Sequence, residues 1–272
     1  RLKLVWEPLY RYFRALHYHL RNRFDLFVTD WASMDNSPRN AYLGSGVDIS
    51  CEMVLFANQL AEICEWLIPV YEAEGESEKV RQLRAVQTEV SGEAAKIAWA
   101  INRYMWDSAS GFYYDVTDKG ERAPVKTIAA FWALLSGVAD ASQAEKLVHW
   151  LQNPAAFART HRVPTLAADE ASYQPGGGYW QGAVWSPTNT MVIRGLEKYG
   201  YRSLAREIAI EHLDCVTQVY METGTFWENY AADFIQKGDK GKPDFVGWTG
   251  IGPILFLLEY AIGLKGDATR NE

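Results

Sequence analysis

Two carboxylates stand out by the company they keep. Asp35 lies in Trp31-Ala32-Ser33-Met34-Asp35-Asn36-Ser37-Pro38-Arg39, and Glu228 in Thr225-Phe226-Trp227-Glu228-Asn229-Tyr230. Each segment is an aromatic-rich break between helix-like stretches. Partial burial beside aromatic rings raises a carboxyl pKa, so one acid of a pair can stay protonated near neutrality while the other is ionised. A protonated acid delivers a proton to a glycosidic oxygen, and an ionised partner activates water. Plainer readings exist for each: Asp-Asn-Ser-Pro is ordinary turn chemistry, and Glu228 reads equally as a solvated acid at a helix end. The two lie 193 residues apart, so only the fold can bring them together. Arg39, four residues past Asp35, either tunes that site or holds a substrate hydroxyl; as a surface ion pair it would contribute little.

A third segment, Gly176-Gly177-Gly178-Tyr179-Trp180-Gln181-Gly182-Ala183-Val184-Trp185-Ser186-Pro187-Thr188-Asn189, runs into a helix. Its glycine spacing is not that of a dinucleotide fingerprint, and no strand precedes it. Trp180 and Trp185 offer flat faces for sugar rings, and Gln181 and Asn189 offer amide donors and acceptors. A single Trp is more often core than platform, but such residues recur in three loops.

The elements that must position these groups are helical. Apolar residues recur at helical spacing, as in Met53, Phe56, Leu60, Ile63, Cys64 and Leu67, or Ala205, Ile208, Ala209, Leu213, Val216 and Tyr220. The periodicity predicts helices near 4–22, 47–74, 78–106, 125–137, 141–152, 184–199, 202–222 and 249–263. Ser77 is expected to N-cap the third, Asp140 with Gln143 resembles a capping box, and Gly200 follows the sixth. Phe112-Tyr113-Tyr114-Asp115-Val116 is the one expected strand. Short links at Gly75-Glu76, Ser136 to Asp140 and Gly200-Tyr201 should join antiparallel neighbours. The longer links, 23–46, 107–124, 153–183 and 223–248, are rich in Trp, Tyr, Gly, Pro, Asp and Asn. Helical hairpins standing in a ring, with function at the long-link end, are therefore expected.

Composition narrows the possibilities. The 272 residues, 48% hydrophobic and 22% charged, suit one packed domain. Lys+Arg 27 against Asp+Glu 34 leaves a net charge of -7 with no basic stripe, which argues against nucleic acid. Cys51, Cys64 and Cys215 are odd in number and sit in apolar patterns, so no disulfide framework is expected. The five histidines are scattered, and Asp233, Asp239 and Asp244 lack a calcium-loop pattern, so no metal is expected. No signal-peptide pattern opens the chain, and the stretch near 251–264 is short and carries Glu259, so a soluble cytoplasmic protein with no membrane partner is the expectation. The chain opens on Arg1, and a trimmed start would hide any targeting segment.

Met34-Asp35-Asn36-Ser37-Pro38-Arg39, Gly178-Tyr179-Trp180-Gln181-Gly182-Ala183-Val184-Trp185, Trp227-Glu228-Asn229-Tyr230 and Phe245-Val246-Gly247-Trp248-Thr249-Gly250 resemble, in order, the motifs of glycoside hydrolase family 63. That family includes processing α-glucosidase I and bacterial mannosylglycerate and glucosylglycerate hydrolases, with trehalases more distantly related. The resemblance implies an all-α, (α/α)6 barrel (toroid) and an inverting α-glycosidase. Asp35 would be the general acid and Glu228 the general base. Trp180, Gln181, Trp185, Tyr230 and Trp248 would line the sugar subsite, with Trp31 and Arg39 close by. A carbohydrate substrate is implied and no cofactor. Such a barrel has twelve helices and this chain shows about the last eight, so a complementing N-terminal segment or partner chain is expected to cover an apolar flank. Two other functions fit the same residues. One is a phosphorylase on the same barrel type, which would need a basic anion pocket. The other is a catalytically silent sugar-binding or assembly fragment.

Overall fold

In a computed structural model, the structure describes residues 1–29, 33–42 and 44–266. Among the described residues nine α-helical segments are formed: α1 (Leu2–Leu20), α2 (Val47–Ala73), α3 (Ser77–Ala100), α4 (Trp132–Ser136), α5 (Ala141–Leu151), α6 (Ser186–Lys198), α7 (Arg202–Thr223), α8 (Val246–Thr249) and α9 (Ile251–Phe256). Helices α2, α4, α6 and α9 pack each against the next as an inner row, while α1 and α3 back α2 and α7 backs α6. The chain thus has the two-layered helical architecture of the (α/α)6 barrel type, present in part.

Sequence chemistry explains how the row closes up. Gly195 on α6 faces α4 so closely that a methyl group there would lie 2.8 Å from Leu134 Cβ and 3.0 Å from the Leu135 nitrogen. Met53, Val54, Ala57 and Leu60 of α2 and Val192, Ile193 and Leu196 of α6 are buried in one apolar cluster. By length and composition alone α2 could cross a membrane; it packs here against α1, α3 and α4. All three cysteines are free and buried.

Several boundaries depart from the periodicity. Residues 78–106 are α-helical only to Ala100, followed by a wider π turn over Ile101–Met105. The helix expected over 125–137 is a 3-10 turn, Ile128–Phe131, running into the short α4. The stretch 249–263 divides into α9 and a π turn, Leu257–Ile262. Ser77 is the first residue of α3 rather than its cap; Glu76 caps it without a side-chain bond. The Asp140 and Gln143 capping box forms in both directions, each bond 2.8 Å. The expected strand over 112–116 divides at its middle. Phe112–Tyr113 (β3) pairs with Trp106–Asp107 (β2), and Val116–Thr117 (β4) pairs with Gly44–Ser45 (β1), both antiparallel.

In the short links Gly75, Gly137 and Gly200 each take the left-handed backbone that ends a helix abruptly; the links at 75–76 and 200–201 join packed neighbours, α2 with α3 and α6 with α7, whereas α4 and α5 make no comparable contact across 136–140. The long links are stitched to one another. The first joins the second through β1 and β4 and through the Asp115 carboxylate, which accepts from the Val47 N–H at 2.9 Å. Asp115 thereby caps α2 from a distance, where the local cap residue, Gly46, has no side chain to do so. The second joins the third by pairing of Thr127 with Leu166, and the third joins the fourth by pairing of Val184 with Tyr230.

Candidate active site

Glu228 is held by backbone on every side. Its N–H donates to the Lys242 carbonyl at 2.8 Å, the Thr249 hydroxyl donates to the carbonyls of Trp227 and Glu228, and the two bonds between Val184 and Tyr230 fix the segment just after it. The side chain is 5% exposed. Its Oε1 accepts a 3.0 Å hydrogen bond from the Tyr179 hydroxyl, and its Oε2 is buried with no protein partner among the described residues. Buried carboxylate oxygens are normally paired, and an unpaired one marks a place where another molecule can bind.

Tyr179 reaches that carboxylate from an unusual backbone. Gly177, Gly178 and Tyr179 have φ of 110°, 53° and 68° in succession. Glycine accepts such values freely, whereas tyrosine adopts them at a cost that cooperating contacts must offset. Those contacts come from the residue beside Asp35. The Asn36 side chain donates to the Gly178 carbonyl and accepts from the Trp180 N–H, both at 2.9 Å, clasping the turn from either side of Tyr179. The Tyr179 hydroxyl is pushed up to about 12 by loss of hydration, then by its bond to Glu228, with the charges of Glu228 and Asp35 adding to the shift. The fold thus brings the segments around the two acids, 193 residues apart in sequence, to one turn through Asn36 and Tyr179.

Asp35 itself is exposed. It lies in a backbone turn in which the Ser37 N–H donates to the Met34 carbonyl at 2.9 Å, and Asn40 donates to the carbonyls of Met34 and Asp35 at 2.9 and 3.0 Å. Trp180 and Trp185 stack with centroids 4.6 Å apart, and Trp248 meets Trp185 edge-on at 6.2 Å. Trp185 is buried, whereas Trp180 and Trp248 face a cavity of about 430 Å³ beside the acids. That cavity is walled by Asp48, Ile49 and Glu52 of α2, Trp132 of α4, and Thr188 and Met191 of α6, so it lies on the face the inner helices share. Ser33 and Met34, just before Asp35, complete its rim, and neither Asp35 nor Glu228 lines it.

The remaining sequence candidates fall elsewhere. Trp31 lies outside the described residues. Gln181 turns its amide to Gln174, whose Nε2 donates to Gln181 Oε1 at 2.8 Å, and is not among the cavity's lining. Tyr230, 1% exposed, is packed beneath the site between Val216, Val219 and His161; its hydroxyl accepts from the Trp227 N–H and is pushed up to about 12 by burial. Arg39 is not a surface ion pair. At 3% exposed it bonds Asp48 at 2.9 Å and lies 3.5 Å from Asp115. Burial favours its neutral form, but the two acids outweigh this and hold the guanidinium charged. Asp115 is raised, by burial first, with Asp48 adding and Arg39 opposing.

Behind the site lies a polar network with no counterpart in the sequence reading. His161 Nε2 and His212 Nδ1 are 2.8 Å apart; Ser186 Oγ lies 2.8 Å from His212 Nε2, and Asn189 Nδ2 lies 3.0 Å from His212 Nδ1. Burial lowers both histidines, His161 to about 3. Ser186 is fully buried, so the serine and histidine form core structure rather than a nucleophile pair. Among the described residues no group of three or more His, Cys, Asp or Glu is arranged to hold a metal ion.

The two-layered helical fold is that of glycoside hydrolases of the (α/α)6 barrel type, and the family match makes this a glycoside hydrolase domain. The chain belongs to the family described as mannosylglycerate hydrolase MGH1-like glycoside hydrolase domain, whose model matches residues 75–234. That match takes in Glu228 and the 178–185 segment and begins after Asp35. A protein of Borreliella burgdorferi, itself uncharacterized, is 31% identical over 172 residues, which is 60% of this chain and 35% of the relative. This chain therefore spans about a third of that relative's length. The mannosylglycerate hydrolase of glycoside hydrolase family 63 from Thermus thermophilus, solved with glucose, superposes with a TM-score of 0.70 at 20% identity, over 96% of this chain and 68% of that one. Neutral trehalase Nth1 from Saccharomyces cerevisiae does so with a TM-score of 0.64 at 21% identity, over 88% and 42%. At these identities the solved structures establish the fold.

Proposed function

We propose that this domain hydrolyses an α-linked glucoside or related α-glycoside with inversion, Asp35 acting as general acid and Glu228 as general base. The observation that carries the reading is the state of the Glu228 carboxylate: one oxygen fixed by Tyr179, the other buried and unpaired among the described residues. An acceptor so placed suits a water or hydroxyl whose proton it removes. Asp35 takes the acid role by its place in the family's motif and by a turn clasped to the same tyrosine; its exposed side chain departs from the partial burial expected of it. Family membership and the activities named for the structural relatives, on mannosylglycerate in one case, support an α-glycoside substrate. Inversion requires no covalent intermediate, only a water on the face opposite the acid.

Asp35→Asn and Glu228→Gln, each made in catalytically active protein, should remove most turnover of a panel of α-linked disaccharides and glycosyl-glycerates. Ordinary rates in both variants refute the assignment. Proton NMR of fresh product should show the β-anomer first; an initial α-anomer refutes inversion while leaving the two acids in place.

A further inference from the structure

Asn36 directly follows the proposed acid, and its side chain bonds to another long link. Its Nδ2 donates to the Gly178 carbonyl and its Oδ1 accepts from the Trp180 N–H, each at 2.9 Å, so one amide brackets Tyr179 from 142 and 144 residues away in sequence. An amide offers a donor and an acceptor side by side, a pairing that an ionised Asp cannot make. The near end of this connection is fixed by Asn40, which donates to the Asp35 carbonyl at 3.0 Å. The far end is the Glu228 carboxylate, which accepts from the Tyr179 hydroxyl at 3.0 Å. Bonds within the third link, from the Gln174 N–H to the Gln181 carbonyl at 2.8 Å and from the Ala183 N–H to the Tyr179 carbonyl at 3.0 Å, close the turn without setting where it stands relative to Asp35. Among the described residues, Asn36 makes the hydrogen bonds that do so.

We infer that Asn36 is a positioning residue for the hydrolysis, fixing Glu228 relative to Asp35 by way of Tyr179. The inference rests on the glycosidase reading above and adds to it a residue that acts through another. Inversion needs the two carboxyl groups about 6.5–9.5 Å apart, and misplacing a reacting group by about 1 Å can cost roughly 100-fold in rate. Tyr179, at φ 68°, holds a backbone that tyrosine keeps only while its surroundings impose it. Without the clasp the turn can relax toward ordinary backbone and carry the hydroxyl away from Glu228.

The test is steady-state kinetics of the full-length protein on the panel of α-linked disaccharides and glycosyl-glycerates, with Asn36→Ala and Asn36→Asp each made alone and in a Tyr179→Phe background. Asn36→Asp is isosteric: it keeps the acceptor for the Trp180 N–H and loses the donor to Gly178, so it reads the clasp even where Asn36→Ala folds poorly. Each single variant should lower kcat at least about tenfold and change KM less than about threefold, because Trp180 stays stacked on Trp185 with centroids 4.6 Å apart. In the Tyr179→Phe background the same changes should lower kcat by no more than about threefold, since the hydroxyl they position is gone. A purely structural role, or a charge effect of the new Asp on its neighbour, would give equal losses in both backgrounds. Such equality, a kcat loss under about tenfold in Asn36→Asp, or a loss carried by KM overturns the inference and leaves the glycosidase reading standing. If the unaltered protein turns over none of the panel, the glycosidase reading falls and the role of Asn36 falls with it.

Discussion

Replacing Tyr179 by Phe isolates the bond that sets the Glu228 carboxylate, because phenylalanine keeps the ring, its edge contact with Trp185 and the left-handed backbone. What is lost is one hydroxyl, 3.0 Å from a carboxylate whose other oxygen already has no protein partner among the described residues. A hydrogen bond to a charged group contributes about 1.5–3 kcal/mol and a neutral one about 0.5–1.5 kcal/mol. Tyr179→Phe should therefore cost roughly 2 kcal/mol, or about 4–8 °C in melting temperature for a chain of this size. In a Glu228→Gln background the same change removes only a neutral bond and should cost about 1 kcal/mol less. Urea denaturation of the four proteins at neutral pH closes the cycle. A loss below about 0.5 kcal/mol, or equal losses in both backgrounds, would mean that Tyr179 does not anchor the carboxylate.

Three further outcomes are expected. His161 and His212 are both lowered, so below pH 6.5 the unfolded chain binds protons that the folded chain refuses. Stability should fall by about 1.4 kcal/mol per pH unit per histidine as pH drops from 6.5 toward 5. Glu93, lowered from 4.5 to about 2, loses its own contribution only at lower pH. Urea midpoints at pH 7, 6 and 5 read this directly, and a flat profile would contradict the buried pair. Arg39→Met should cost about 3–5 kcal/mol, because it leaves Asp48 and Asp115 buried without their cation; a loss under about 1 kcal/mol would make the pair a surface one. Gly195→Ala should cost about 1–3 kcal/mol by forcing α4 and α6 apart, and a neutral result in thermal melts would show that the two helices have room to spare.

The helices were legible because a buried face must repeat with the helical period, and the long links because aromatic and turn residues interrupt that period. Boundaries failed where tertiary contacts override propensity: Val184 fits a helix by pattern but is drawn into pairing with Tyr230. Arg39 was legible as important, but its partners were not. Its partner Asp115 lies in a segment that reads as strand, and no local spacing reveals that the two meet. Tyr179 was passed over although its motif was recognised. The run Gly176-Gly177-Gly178 before it is the available signal, since a left-handed backbone is what turns that ring toward Glu228. Asn36 looks like turn chemistry, and its side chain in fact serves a different loop. The pairing of His161 with His212 has no periodic trace at all.

The alternation of short and long links has a consequence for how such a protein can change. Each short link ends a helix on a left-handed glycine and leaves no slack, so insertions there would shift one helical layer against the other. The opposite rim has length to spare, yet its segments are knotted together through single residues such as Asn36 and Asp115. New specificities can therefore arise by lengthening a long link between its knots, while the knots themselves tolerate almost no exchange.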